Sequence, residues 1–212
     1  MKFETEQEKF WAEDFGNDYI KRNNNKKILS SNLYLFSNCL KNTSDINSCI
    51  EFGSNIGLNL KALKILFPNI NISAIEINEM AISSLKKTVD KKNIYHQSII
   101  NFSNQNKWDL ALIKGVLIHI NPDQLSKVYD NLYNSTKKYI LLCEYYSRLP
   151  TNVEYYGFKD KLFKRDFCGE MLDRFKDLEL VDYGFIYHRA QNFPQDDINW
   201  FLLRKIGNKN NA

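Results

Sequence analysis

The sequence predicts an α/β domain: a Rossmann-like, doubly wound, mostly parallel seven-stranded sheet that closes with a C-terminal antiparallel hairpin. Three observations carry this. From Ser48 onward, short apolar strand patterns alternate with amphipathic helical ones, the signature of parallel strands joined by helical crossovers. A glycine turn, Cys49-Ile50-Glu51-Phe52-Gly53-Ser54-Asn55-Ile56-Gly57, joins the first strand to a helix start. The last two strand patterns, residues 178–187 and 200–205, have no convincing helix between them, so they must pair antiparallel, since a parallel pair needs a long crossover.

The elements follow in order. Thr5-Glu6-Gln7-Glu8 is a capping-box pattern opening a helix with Phe10, Trp11, Phe15 and Tyr19. Residues 21–27 are polar and asparagine-rich, a loop, and 30–40 read as a second helix. Strand 48–52 precedes a helix from Gly57 to Phe67, stopped by Pro68. Strand 71–77 is followed by Asn78, a helix cap, and a helix carrying Met80, Ile82, Leu85 and Val89. Residues 93–96 and 108–113 read as strands, and Asn121-Pro122-Asp123 starts a helix to about Ser135 with proline at its first position. Residues 139–144 form a fifth strand and 165–174 a helix.

At 212 residues the chain reads as a single domain, with 1–45 an N-terminal helical lid and 46–206 the ligand-binding core. The formal net charge of +4 is spread over helix faces with no dense basic block, so nucleic acid is not indicated. Cys39, Cys49, Cys143 and Cys168 form no C-x-x-C pair and read as buried reduced thiols, with no metal site expected. The polar start Met1-Lys2-Phe3-Glu4 is no signal peptide, and no apolar run reaches membrane length. These features fit a cytoplasmic protein acting on a small molecule, with a homodimer left open.

The glycine turn does not match the dinucleotide fingerprint G-x-G-x-x-G, because Asn55 and Leu58 stand at its second and third glycine positions. Glu51-x-Gly53-x-Asn55-x-Gly57 instead resembles motif I of class I S-adenosylmethionine methyltransferases, E-x-G-x-G-x-G, with asparagine for the middle glycine. An acid there suits a ligand with an ammonium and a sulfonium and no phosphate. Glu76 ends the next strand, about 20 residues beyond Gly57, where a carboxylate can accept both ribose hydroxyls. The other reading is a glycine turn in an α/β protein that binds nothing. Ligands of such sheets lie at the carboxyl ends of the strands. Ile77 is then placed to pack on adenine, Gln97 and Ser98 to hydrogen-bond its edge or to cap a helix, and Lys114 to face the cofactor. Tyr19 and Arg22 lie on the lid, with Arg22 a candidate for the methionine carboxylate.

His119 is the candidate general base, since an acceptor hydroxyl or ammonium must lose its proton as it attacks. Alternatively it fastens its loop to the sheet. Glu144, Tyr145 and Tyr146 leave a buried strand and are candidates for binding or deprotonating the acceptor, or Glu144 pairs with Arg148 or a lysine. Arg165, His188, Arg189 and Asp196 complete a candidate polar acceptor pocket, its cations suited to a carboxylate or phosphate.

Segments spanning nearly the whole chain resemble the family of pseudaminic acid biosynthesis-associated methylases. They include Glu8-Lys9-Phe10-Trp11, Lys114-Gly115-Val116-Leu117-Ile118-His119, Glu144-Tyr145-Tyr146, Leu162-Phe163-Lys164-Arg165-Asp166-Phe167, Asp182-Tyr183-Gly184-Phe185 and Phe193-Pro194-Gln195-Asp196-Asp197. The resemblance implies S-adenosylmethionine as cofactor and a gene context of nonulosonic-acid sugars on bacterial surfaces, which suggests such a sugar as acceptor. The alternatives are another small acceptor, an amine or amino-acid derivative, and a non-catalytic protein that binds the cofactor. The chain departs from the family pattern at Tyr156, where an arginine is expected, and at Ala190, where an aspartate is expected.

Overall fold

The computed structural model describes residues 2–23 and 26–207, with the side chain of Lys26 excluded. Its sheet has seven strands in the order β3-β2-β1-β4-β5-β9-β8. These are β1 (Ser48–Phe52), β2 (Asn71–Glu76), β3 (Ile94–His96), β4 (Trp108–Lys114), β5 (Thr136–Glu144), β8 (Leu178–Ile186) and β9 (Ile198–Lys205). The first five pair in parallel, while β9 runs antiparallel to both β5 and β8. The expected doubly wound sheet with a reversed final hairpin is therefore what forms.

Alternation within the strands divides the core into two layers. On β1, Cys49 faces a cluster with Leu35 and Phe36 of α3 (Lys26–Cys39), Leu60 and Leu63 of α4 (Leu58–Leu66), and Leu85 of α5 (Glu79–Leu85). Ile50 and Phe52 face the opposite cluster, built on Val128 and Leu132 of α6 (Leu125–Asn134) and Phe167 and Met171 of α7 (Phe167–Arg174). β1 and β4 are buried along nearly their whole length, as strands covered on both faces are. All four cysteines are buried and free.

Four local features differ from the sequence expectation. The first helix is two, α1 (Glu6–Ala12) and α2 (Asp14–Arg22), broken at Glu13, whose backbone is non-helical. Helix α2 reaches Arg22 and helix α3 starts at Lys26, both inside the expected 21–27 loop, of which Asn24 and Asn25 lie outside the described residues. Helix α3 also buries Leu35, Phe36 and Cys39 against the sheet, so it belongs to the core as well as to the cover over the strand ends, unlike α1 and α2. Finally, residues 151–164, given no element by the sequence reading, form a separate hairpin of β6 (Thr151–Tyr155) and β7 (Phe158–Lys164). Tyr155 pairs with Phe158 across a two-residue turn, and Tyr156 and Gly157 are both left-handed, at φ 51° and 83°.

Among the described residues no helix is long and apolar enough to cross a membrane, and no group of three or more His, Cys, Asp or Glu could hold a metal ion.

Candidate active site

The carboxyl ends of β1, β2 and β4, with α1, α2 and α3 above them, enclose a cavity of about 460 Å³. That size fits a nucleoside-containing ligand. Its floor is the glycine turn. Gly53 N and Ser54 N both donate to the Ile75 carbonyl at 3.0 Å, tying the turn to β2. Gly53, Asn55 and Gly57 are all left-handed, at φ 76°, 46° and 82°. Asn55 can replace a glycine because asparagine, alone with aspartate among common side chains, enters this region readily. At Gly53 a Cβ would stand 2.7 Å from the Val116 side chain, so this position needs glycine for space as well as for conformation. Asn55→Val should therefore lower folding stability by about 1–2 kcal/mol while Asn55→Gly is nearly neutral, measured by urea denaturation.

Two carboxylates frame the turn. Glu76 is buried; its Oε2 accepts Asn55 N at 2.6 Å, and its Oε1 accepts Ile77 N at 2.9 Å and Asn78 N at 2.7 Å. Burial raises its pKa against the opposing effect of these three donors. Glu51 points to the other face, where Asn59 Nδ2 donates to Oε1 at 2.6 Å. Its Oε2 has no partner. Burial pushes Glu51 up to about 8, partly offset by the Asn59 bond and the charge of Lys114.

The Asn59 bond is the end of a chain that the sequence did not reveal. Gln195 donates to Asn32 at 3.1 Å, and Asn32 to Asn59 at 2.8 Å. This couples the loop before β9 to Glu51 through α3 and α4. Each residue alone reads as an ordinary surface polar group, so no sequence signal singles them out.

The structure gathers many of the expected residues at the cavity. Tyr19, Gly53, Asn55, Glu76, Ile77, Gln97, Ser98, Lys114, His119 and Asp196 line it. Ser98 Oγ accepts Ile100 N at 3.1 Å, which makes it a turn residue rather than a helix cap. Tyr19 is pushed up to about 12 by burial and by the nearby Asp196 carboxylate, so it remains a neutral phenol.

His119 is buried against the rings of Trp11 and Tyr155, at centroid distances of 4.6 and 4.9 Å. Its Nδ1 is 2.5 Å from the Lys161 carbonyl on β7. A carbonyl can only accept, so Nδ1 carries the proton and Nε2 is left as the basic nitrogen. Burial pulls the imidazole down to about 4. Both readings of this histidine meet in one geometry: it fastens β7 to the strand end, and its neutral, weakly basic ring stands in the cavity wall.

Other expected residues stand elsewhere. Glu144 is buried behind the β4 turn, where its Oε1 accepts Val116 N and Leu117 N at 3.0 Å each, so it orders that turn rather than pairing with Arg148 or a lysine. Burial pushes it up to about 7. Tyr145 is half-buried beneath Lys164, whose Nζ lies 5.3 Å from the ring centre. Tyr146 is exposed beside Phe201. Arg22 lies over the Phe15 and Tyr156 rings, at 5.4 and 5.3 Å, so it does not line the cavity. The expected cationic acceptor pocket does not converge there either. Arg165 is engaged by Glu170 at 2.7 Å, His188 by Asp197 at 2.8 Å, and Arg189 is exposed. Of the expected acceptor residues only Asp196 reaches the cavity.

Glu51 and Glu144 hold protons in the folded chain to higher pH than they would unfolded. The unfolded state then binds fewer protons, and stability falls as pH rises from about 4.5 to 8. His119 acts oppositely: its lowered pKa makes stability rise between about 4 and 6.5. Above pH 6.5 only the carboxyl effect remains of the two. Urea midpoints should therefore fall between pH 6.5 and 8, and a Glu51→Gln, Glu144→Gln double variant should flatten that fall.

Comparison with solved structures bears on the fold. An S-adenosylmethionine-dependent methyltransferase from Clostridium acetobutylicum superposes with a TM-score of 0.63 at 14% identity, over 91% of this chain and 98% of that one. The Burkholderia thailandensis 1,6-didemethyltoxoflavin-N1-methyltransferase gives 0.69 at 12% identity, over 94% and 86%. The Synechocystis magnesium protoporphyrin IX methyltransferase gives 0.66 at 10% identity, over 97% and 100%. The fold is that of the class I methyltransferases. Within this methyltransferase fold the cavity lies at the carboxyl edge of the parallel strands, against the glycine turn. No protein-family model and no curated protein matches the sequence.

Proposed function

We propose that the chain is an S-adenosylmethionine-dependent methyltransferase acting on a small polar acceptor, of the sugar or nonulosonic-acid type. The observation that carries the cofactor reading is the joining of two sequence features in one cavity: the left-handed glycine turn and the Glu76 carboxylate held over it by Asn55 N. The residues fit the group. Glu76 can accept the ribose hydroxyls and Ile77 offers an apolar surface for adenine, whereas Glu51, wholly buried and bonded to Asn59, and Gly57 do not line the cavity and act by shaping the turn. When bound, the cofactor supplies a methyl group on a sulfonium.

The chain's own contribution is to bind, align and exclude water. Trp11, Tyr19 and His119 wall the cavity under α1 and α2, and His119 Nε2 can receive the proton that an acceptor gives up. Support for a sugar acceptor comes from the sequence resemblance. Asp196 refines it: an exposed carboxylate at the cavity, next to aromatic walls, favours an acceptor with an amine, such as an amino sugar.

The test is release of S-adenosylhomocysteine with a panel of nonulosonic acids, amino sugars and their nucleotide-activated forms. Turnover concentrated in the amino compounds, with Asp196→Asn raising KM at least ~10-fold, is the expected result. Turnover of simple carboxylates unaffected by Asp196→Asn would overturn the amine assignment.

A further inference from the structure

Two buried oxygens on the cap have no work in the folded chain alone. Gln7 and Glu8 of α1 are each 6% exposed, and both line the cavity. Glu8 uses Oε2 to close the capping box, accepting Thr5 N at 2.9 Å and Glu4 N at 2.6 Å. Its Oε1 has no partner. Gln7 donates Nε2 to the Asp160 carbonyl at 2.9 Å, which fixes the orientation of its amide, and its Oε1 is likewise unpartnered. Buried acceptors without donors cost free energy, and these two stand at the cavity, where a ligand can supply the hydrogen.

The position of α1 indicates which part of a ligand that is. Its C-terminal end is pinned to the end of β2 by Asn78 Nδ2, which donates to Trp11 O and Ala12 O at 3.2 Å each. Just ahead of its first turn, Glu4 Oε1 accepts Asn101 Nδ2 at 3.0 Å, beyond the end of β3. Between these anchors, and with Gln7 held to β7 by the Asp160 carbonyl, the helix lines the same cavity as Ile77, Gln97 and Ser98, where the base of the nucleoside would lie. The segment His96-Gln97-Ser98-Ile99-Ile100-Asn101-Phe102 contains no carboxylate to receive an amino group, and Ser98 Oγ already accepts from Ile100 N.

We infer that α1 reads the adenine edge of the cofactor, with Gln7 Oε1 and Glu8 Oε1 accepting the two hydrogens of its exocyclic amino group. This assignment rests on the S-adenosylmethionine reading of the cavity. It makes the cap a specificity element as well as a cover: closure of α1 is rewarded by adenine and opposed by a base with a carbonyl at that position.

The test compares two probes by calorimetry: S-adenosylhomocysteine and S-inosylhomocysteine, in which a carbonyl replaces the amino group. The wild-type chain should prefer the adenine form at least ~100-fold. Glu8→Gln preserves the capping box, since glutamine serves at that position, and can turn an N–H toward the carbonyl. It should cut the preference at least ~10-fold. A cap that was merely loosened would weaken both probes alike and leave the ratio intact. Gln7→Met, read by the same ratio, covers the case in which Glu8→Gln does not fold. Wild-type binding of the adenine form with a ratio unchanged in the folded variants overturns this assignment alone. Binding of neither probe overturns it together with the cofactor reading.

Discussion

Glu76→Ala is expected to weaken S-adenosylhomocysteine binding at least ~100-fold, or about 2.8 kcal/mol. The carboxylate is the point where cofactor recognition and the geometry of the glycine turn meet. One oxygen holds Asn55 N and the other holds Ile77 N and Asn78 N, so alanine removes the ribose acceptor and releases three backbone donors at once. Folding stability should fall as well, by about 1–3 kcal/mol for each donor left buried and unpaired. The two effects separate through Glu76→Gln, which keeps an oxygen for Ile77 and Asn78 but presents an amide to Asn55. That variant leaves only the Asn55 donor unpaired, so it should lose about 1–3 kcal/mol of stability, less than alanine, and lie between wild type and alanine in affinity. An affinity within about 3-fold of wild type for Glu76→Ala would remove the carboxylate from the site.

Gly16→Ala is expected to have the largest effect of any single methyl group in the cap. A Cβ there would stand 1.9 Å from the Trp11 carbonyl oxygen and 2.9 Å from Asn78 Nδ2. The first is backbone and cannot swing aside, so α1 and α2 would have to separate. The same movement would break the Asn78 contacts to Trp11 and Ala12 and lift the Trp11 ring from His119. Overpacking of this kind costs about 3 kcal/mol. Since α1 and α2 cover the cavity and the sheet lies beneath them, the loss should appear as a cap melting ahead of the core. Hydrogen exchange of 6–22 should accelerate while that of β1 and β4 does not. Uniform exchange across the chain would contradict this division.

Much of the architecture could be read in the sequence because it rests on local rules. The parallel strands announce themselves as apolar runs between amphipathic helices, and Asn78 and Asn121-Pro122 cap their segments as residue chemistry dictates. Asn121-Pro122 differs in detail, opening with a short 3-10 turn at Pro122–Gln124 before α6. The β6–β7 hairpin escaped because its strands face solvent on half of their positions and carry little apolar alternation. Its one signal was Tyr156-Gly157, a two-residue turn whose first position is unusual for a left-handed tyrosine. That hairpin supplies Tyr155 and the Lys161 carbonyl, without which the environment of His119 cannot be inferred.

At the site, residues at strand ends were legible because position along a parallel strand fixes the edge they reach. Glu76, Ile77, Gln97 and Lys114 all reach the cavity for that reason. Residues after β5 and β8 were not, because charge alone does not show where a side chain spends itself. Glu144 turns inward to the Val116 and Leu117 amides, Arg165 to Glu170, and His188 to Asp197. Gln7, Asn32, Asn59 and Gln195 were invisible for the opposite reason: their importance lies in burial and mutual contact between distant segments.

Calorimetric titration of the wild-type chain with S-adenosylmethionine and S-adenosylhomocysteine shows whether this cavity binds the cofactor. Saturable binding of both compounds at one site per chain is expected. Absence of binding by either would contradict it and leave a methyltransferase fold whose glycine turn holds no such ligand.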